Sequence, residues 1–183
     1  MSPRSRILTG IILKRLNLRE ADRIITLFTE TEGKVSLVAK GVRKITSRKS
    51  GSLEQFNQVR ISVVKGRGDL DIITEVQAEN TFPSWRNFLG RVTLGYQLCE
   101  VVDKLTADHQ SHPGVYAVLK DGLSQLAVLG SDWQEVSQGW FLSILQDLGY
   151  WPKDKSFSGD IYEFIEDIAN QHLNSPKMIK MLK

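Results

Sequence analysis

The sequence predicts an α+β protein in two domains, a five-stranded β-barrel followed by an all-α half, and three observations predict it. Residues 7–80 run as short β-rich segments between turn signals, the apolar period changes to that of helices from Phe82, and the charge changes sign at the same place. Residues 1–80 hold 15 Lys/Arg against 9 Asp/Glu, a net of +6, while residues 81–183 hold 9 against 12, a net of −3. The boundary is expected near Asn80–Pro83, giving domains 1–80 and 81–183, and 183 residues suffice for two small cores. At 41% hydrophobic and 25% charged residues, the composition is that of a folded chain rather than a disordered one.

In the basic half, Ile7 to Lys14 reads as the first strand and Arg23 to Thr29 as the second, joined through the polar Asn17-Leu18-Arg19-Glu20 stretch as a hairpin. Glu30-Thr31-Glu32-Gly33 supplies a turn, and Lys34 to Lys40 then alternates, with Val35, Leu37 and Ala39 on one face. Residues 41–52 break the pattern and read as a loop. Strand character resumes over Phe56 to Lys65, turns at Gly66-Arg67-Gly68 and returns over Leu70 to Gln77. Five strands in this order suit a small closed barrel of the oligonucleotide-binding type, the OB-fold, with an α+β sandwich-like sheet as the alternative.

In the second half, Pro83 suits a first helical turn, and Trp85, Phe88, Leu89, Val92, Tyr96, Cys99 and Val102 recur at spacings of three and four. A second helix is expected from Pro113 to Leu129. A third opens at Ser131 or Asp132 as N-cap, carries Val136, Trp140, Phe141, Ile144, Leu145 and Leu148, and stops at Gly149. Shorter helical patterns follow over Ile161 to Leu173 and Pro176 to Leu182.

Chemistry for catalysis is thin, and no enzyme, cofactor or metal is expected. His109, His112 and His172 lack metal-ligand spacing, and Glu166 and Asp167 are neighbours that point apart on a helix. Gly66-Arg67-Gly68 lacks the further glycine and following helix of a phosphate loop. Cys99, the single cysteine, lies on an apolar stripe as a buried thiol, and a chain without a possible internal disulfide suits a reducing cytoplasm. No run of 18 apolar residues predicts a membrane span, and the N-terminus lacks a signal-peptide pattern.

The cations form the one constellation above background. Lys40, Arg43, Lys44, Arg48 and Lys49 fall within ten residues free of carboxylate and interleaved with Gly41, Thr46 and Ser47, a composition able to follow phosphates. A barrel of this type binds its strand across strands 2 and 3, between the loops joining strands 1–2 and 4–5. The first loop offers Lys14, Arg15 and Arg19, strand 2 begins at Arg23, strand 3 carries Lys34 and Lys40, and the last loop offers Arg67. Only Phe28 and Phe56 are aromatic before Phe82, so phosphate contacts should dominate.

Thr9-Gly10-Ile11-Ile12-Leu13-Lys14, Glu20-Ala21-Asp22-Arg23, Leu27-Phe28-Thr29, Gly33-Lys34, Ala39-Lys40-Gly41-Val42-Arg43 and Gly66-Arg67-Gly68, in that order and spacing, resemble the N-terminal domain of RecO, the bacterial recombination mediator. The stretches Tyr96 to Glu100 and Leu148-Gly149-Tyr150 with Pro152 are similar to its second domain, and Tyr162 to Leu182 to its closing helix and basic tail. The resemblance implies a non-enzymatic DNA repair protein of the bacterial cytoplasm, nucleoid-associated when on DNA. It implies binding of single-stranded DNA, double-stranded DNA also being a ligand, annealing of complementary strands, and loading of RecA with RecR onto DNA covered by single-stranded DNA-binding protein. In that family the helical domain takes the acidic C-terminal tail of the latter. The alternative function is a docking adaptor whose helical half binds such a tail while DNA binding is secondary. Lys104, Lys120, Lys177 and Lys180 are its expected cations, with Trp133, Trp140, Tyr150 and Trp151 either lining a docking groove or closing the three-helix core. Many members also insert a four-cysteine module after Gly-Tyr-x-Pro. Here the chain passes from Pro152 to Asp160 without a cysteine, so zinc is not expected and the helical half reads as truncated.

Overall fold

The computed structural model describes residues 5–130 and 133–174. Five strands, β1 (Ser5–Leu18), β2 (Asp22–Thr29), β3 (Gly33–Ala39), β4 (Gln58–Val64) and β5 (Asp71–Asn80), close into a barrel in the order β1-β2-β3-β5-β4. Every pairing is antiparallel except that of β3 with β5, which is parallel and short, Leu37 opposite Asp71 and Val38 opposite Ile72. Closure selects the OB-type barrel over the sandwich-like sheet.

β1 is longer than expected because it serves two neighbours. Ser5 to Ile11 pair with β4, Gly10 to Leu18 pair with β2, and the register slips between Ile12 and Lys14. A bulge of this kind breaks strict alternation, which is why Ile11, Ile12 and Leu13 are all buried. Gly10 stands in both pairings, at the corner, and a Cβ there would lie 2.5 Å from the Phe28 carbonyl oxygen and 2.8 Å from Leu27 Cγ. On β3 the expected alternation holds, with Val35, Leu37 and Ala39 facing the core.

That core gathers Leu8, Ile12, Ile25, Leu27, Val59, Ile61, Val63 and Ile73 from the strands with Val42 and Leu53 from the connection between β3 and β4. This connection has no helix or strand, yet it is anchored. Phe56 donates its backbone N–H to the Ile12 carbonyl at 2.9 Å, Ile12 donates in turn to Asn57 O at 3.0 Å, and the buried Asn57 amide donates to the carbonyls of Gly51 and Ser52. A buried amide satisfied in this way fixes backbone that no ladder holds. Phe56 takes φ 74° and lies outside β4, two residues before the expected strand begins to pair.

Packing divides the chain into two compact units, one running through Thr81 and taking in Asp108–Ser111, the other Phe82–Ala107 with the chain from His112 on. In the first unit His109 donates its backbone N–H to the Lys34 carbonyl at 2.9 Å, and Ser111 Oγ donates to Glu30 O at 2.7 Å.

Among the described residues the second unit holds a single 3-10 turn at Pro83–Trp85 and four helices, α1 (Leu89–Leu105), α2 (Pro113–Gln125), α3 (Trp133–Asp147) and α4 (Ile161–Ala169). The expected stripe on the first helix is corrected at its start. Trp85 is buried in the separate turn, its indole N–H donating to Leu123 O at 2.8 Å, while Phe88 and Leu89 are exposed and Leu94, Leu98, Val101 and Val102 form the buried face. α2 ends at Gln125 rather than Leu129: Ala127 and Val128 donate to Ser124 O and Gln125 O, three residues back rather than four, and the Arg91 guanidinium takes the carbonyls of Ala127 and Leu129 at 2.9 and 3.1 Å. α4 is opened by Asp160, whose carboxylate accepts from the backbone of Tyr162 and Glu163, and it ends at Asn170 with φ 49° rather than at Leu173. The expected cap at Ser131 or Asp132 and the pattern over Pro176 to Leu182 lie outside the described residues.

Gly10→Ala should lower stability by about 1–3 kcal/mol, the cost of overpacking a site where backbone must give way. Gly68→Ala, where an added Cβ meets nothing within 4 Å, should change it by less than about 0.5 kcal/mol. Urea unfolding of the two variants checks the contrast.

Candidate nucleic-acid interface

A cleft of about 350 Å³ opens between the turn joining β1 to β2 and the loop joining β4 to β5. Leu18, Val38, Leu70 and Ile72 line it with Arg19, Lys40 and Arg67, together with Asp22 and Asp69. Arg19 holds φ 57° in the tight hairpin turn, and the three cations are exposed. Asp22 has a separate duty. Its carboxylate accepts the Gly41 N–H at 2.8 Å and so fastens the start of the basic loop to the start of β2.

The loop continues as an ordered turn. Gly41 takes φ 65°, a conformation costly for any side chain, and Arg43 returns to the β1–β2 turn twice, donating its backbone N–H to Ala21 O at 3.0 Å and its guanidinium to Arg19 O at 2.9 Å. Lys44 and Arg48 are exposed. Lys49 is half-buried, its ammonium 3.4 Å from the Ile73 carbonyl on β5, next to Ile72 of the cleft. No carboxylate occurs from residue 33 to residue 53. Arg19, Lys40 and Arg67 therefore surround one cleft, and the Arg43 contacts tie the 41–49 loop to the same turn.

The remaining expected cations are placed differently. Lys14 and Arg15 stand on β1, not in the loop, because β1 continues to Leu18. Arg15 pairs with Glu54, Arg23 lies 4.0 Å from the same carboxylate, and Arg23 Nε donates to Asn17 Oδ1 at 3.2 Å. Lys34 is at the far end of β3, some 20 Å of strand from Lys40 at about 3.3 Å per residue, with its ammonium 3.7 Å from Asp108. Phe28 and Phe56 are both buried, so the described residues from Ser5 to Thr81 expose no aromatic ring. Sequence reasoning missed the tether that Asp22 supplies, which no local pattern signals because its acceptor role depends on Gly41, 19 residues on.

In the helical unit the expected partner residues differ in exposure and engagement. Lys104 is engaged with Glu100 at 3.9 Å and with the His172 carbonyl, while Lys120 is exposed on α2. Trp140 is buried, its indole N–H donating to Gln125 Oε1 at 2.9 Å. Trp151 stands edge-on to Phe157 and Phe164 with centroids 5.0 and 5.5 Å away, Trp133 is half-buried, and Tyr150 is exposed. Lys177 and Lys180 lie outside the described residues. Another surface is apolar: Arg91 lies 4.9 Å over the Phe88 ring while bonding the carbonyls on either side of Val128, and Phe88, Leu89 and Val128 are exposed around it.

The titratable groups offer no acid–base or nucleophilic set among the described residues. Burial, helped by the nearby Asp103, pushes the Cys99 thiol well up, and burial likewise raises Tyr162 against its hydrogen bonds with Ser137 and Gln97. Glu166 is engaged in closing α4, accepting from Leu173 N at 2.7 Å and standing 3.0 Å from His172 Nδ1. No three His, Cys, Asp or Glu side chains among the described residues come together to hold an ion, and Cys99 is buried in α1.

Comparison with known proteins agrees with this layout. Residues 4–82 match the family model described as Recombination protein O N terminal, and residues 86–154 the one described as Recombination protein O C terminal. The DNA repair protein RecO of Pelotomaculum thermopropionicum is 32% identical over 78% of the chain and 55% of its own length. Those of Desulforudis audaxviator and Bifidobacterium adolescentis are 33% and 34% identical, over 64% and 79% of the chain and 47% and 59% of their own lengths. The chain thus spans about half the length of the curated relatives it matches.

Because its thiol is buried and held protonated, Cys99 should not react with a thiol-exchange reagent at pH 8 in the folded protein and should react at once in guanidinium. A colourimetric thiol assay with and without denaturant reads this directly.

Proposed function

The chain belongs to the RecO family, and on that premise we propose that it is a non-enzymatic DNA repair protein that binds single-stranded DNA through its barrel and promotes annealing. The observation that carries the reading is the cleft ringed by Arg19, Lys40 and Arg67, with a carboxylate-free basic loop fastened to its edge. It lies between the β1–β2 and β4–β5 loops, where barrels of this type take an oligonucleotide.

The mechanism is charge neutralisation. Exposed guanidinium and ammonium groups displace condensed counterions from the phosphates, and two strands held on such surfaces repel each other less while they search for register. Without an exposed ring among the described residues of the barrel to stack on bases, contacts to the sugar-phosphate backbone dominate, which makes the binding indifferent to sequence. Double-stranded DNA presents the same phosphates and is also a ligand of the same surface. In this reading the protein acts in the bacterial cytoplasm with RecR, and with single-stranded DNA-binding protein on the DNA to be loaded with RecA.

A second reading, an adaptor that takes an acidic partner tail on the helical unit, is favoured by the exposed Phe88, Leu89 and Val128 around Arg91, an apolar patch with a guanidinium at its centre. The two readings are compatible in one mediator.

If Arg19, Lys40, Arg43, Lys44, Arg48 and Arg67 each meet a phosphate, affinity for a single strand should fall with a log–log salt slope of about −4. Replacing Arg43, Lys44, Arg48 and Lys49 by Glu should weaken binding at least about 100-fold at low salt and flatten that slope to about −1 or −2; anisotropy across a salt series measures both, and unchanged affinity at low salt would sink the reading. For the second reading, an acidic peptide ending in Phe should bind the full chain and lose about tenfold or more in the Val128→Asp variant. Intrinsic tryptophan fluorescence or calorimetry would register it.

A further inference from the structure

Ile45 is 105% exposed, more than any other large apolar side chain among the described residues, the next being Val128 at 81%. It stands at the crest of the loop between β3 and β4, three residues after the buried Val42 and eight before the buried Leu53. The backbone beneath it is held on both sides. Lys44 donates its N–H to Gly41 O at 3.2 Å, Ser47 donates to Lys44 O at 2.9 Å, and Arg43 is fastened to the β1–β2 turn. Arg43, Lys44, Thr46 and Arg48 are exposed as well, while Ser47 is half-buried.

An aliphatic group presented in this way is buried only when a partner arrives, and its surroundings state what the partner is. Four cations at positions 43, 44, 48 and 49, with no carboxylate from 33 to 53, select a polyanion. The isoleucine in their midst selects one with apolar faces between its charges, which describes bases stacked between phosphates. The barrel exposes no aromatic ring that could cover such a face.

We propose that Ile45 is an apolar wedge that enters the base stack of DNA held by the surrounding cations and covers one unstacked base. This rests on the DNA-binding reading and adds to it a contact that charge neutralisation does not supply. An unstacked base is free to pair, so the wedge would keep a strand held on the loop open to its complement.

The test uses the full chain and an oligonucleotide carrying 2-aminopurine, whose emission rises when it leaves the stack. Wild type should raise that emission on binding. Ile45→Ala should abolish the rise and weaken binding about three- to tenfold, less than loss of an aromatic stacking contact, while leaving the salt slope unchanged because every cation remains. Ile45→Trp should restore affinity, and its added indole emission should be quenched by DNA. An Ile45→Ala variant with wild-type affinity and emission response would overturn the wedge and leave the DNA reading standing. If wild type fails to bind the oligonucleotide at low salt, the DNA reading itself fails and the wedge with it. Vesicles of anionic phospholipid serve as the other arm: Ile45-dependent binding to vesicles, with DNA binding indifferent to Ile45, would assign the side chain to a lipid surface and overturn the proposal.

Discussion

The double pairing of β1 is the constraint on which the barrel depends. One strand of 14 residues must lie against β4 through its first half and β2 through its second, and it can do so only by bending. Gly10 permits the bend, because the Phe28 carbonyl and the Leu27 side chain occupy the space where any Cβ would go. The bulge at Leu13 then restores a usable register for the far half. Without the pairing of β1 with β4, β4 and β5 would be joined to the other strands only by the parallel contact of β3 with β5, two residue pairs long, and the sheet would stand open.

Closure also makes the candidate interface. Bringing β5 beside β3 sets the loop after β4 opposite the turn after β1, and the cleft is the space between those two connections. The basic loop is held to the same place by backbone as much as by charge, through the Asp22 carboxylate on Gly41 and the Arg43 hydrogen bonds to Ala21 and Arg19. Cations arranged on a fixed frame lose less freedom on meeting a phosphate than cations on a slack chain. Arg15 and Arg23 show the contrasting case: Glu54 sits between them and competes with any phosphate for both.

Much of this was legible in the sequence, for reasons that differ by element. β3 was readable because one face is buried, so its alternation is strict, and the cations 40–49 were readable because nothing acidic interrupts them. The extent of β1 was not, since a bulge erases alternation where it falls, and this displaced Lys14 and Arg15 from loop to strand. The first helix was misread at Trp85 because its indole fits the same three- and four-residue spacing while belonging to a separate turn bonded to Leu123. The engagement of Lys34 with Asp108 and of Lys104 with the His172 carbonyl depends on contacts 74 and 68 residues apart in the chain, which periodicity cannot report.

The poverty of aromatic residues has a physical consequence for the proposed activity. A surface that grips bases by stacking on several rings gains affinity for each base it covers, and it must release those bases before they can pair. A surface that grips phosphates leaves the pairing edges in water. With Phe28 and Phe56 both buried in the barrel, the cleft and its basic loop belong, on the proposed reading, to the second kind. Such a grip weakens as soon as competing cations rise, so the same feature that leaves a strand free to anneal makes its retention depend on the ionic surroundings and on how many phosphates are engaged together. On the proposed reading most of the affinity thereby follows from the number and spacing of the guanidinium and ammonium groups, while pairing competence follows from how the loop meets the bases.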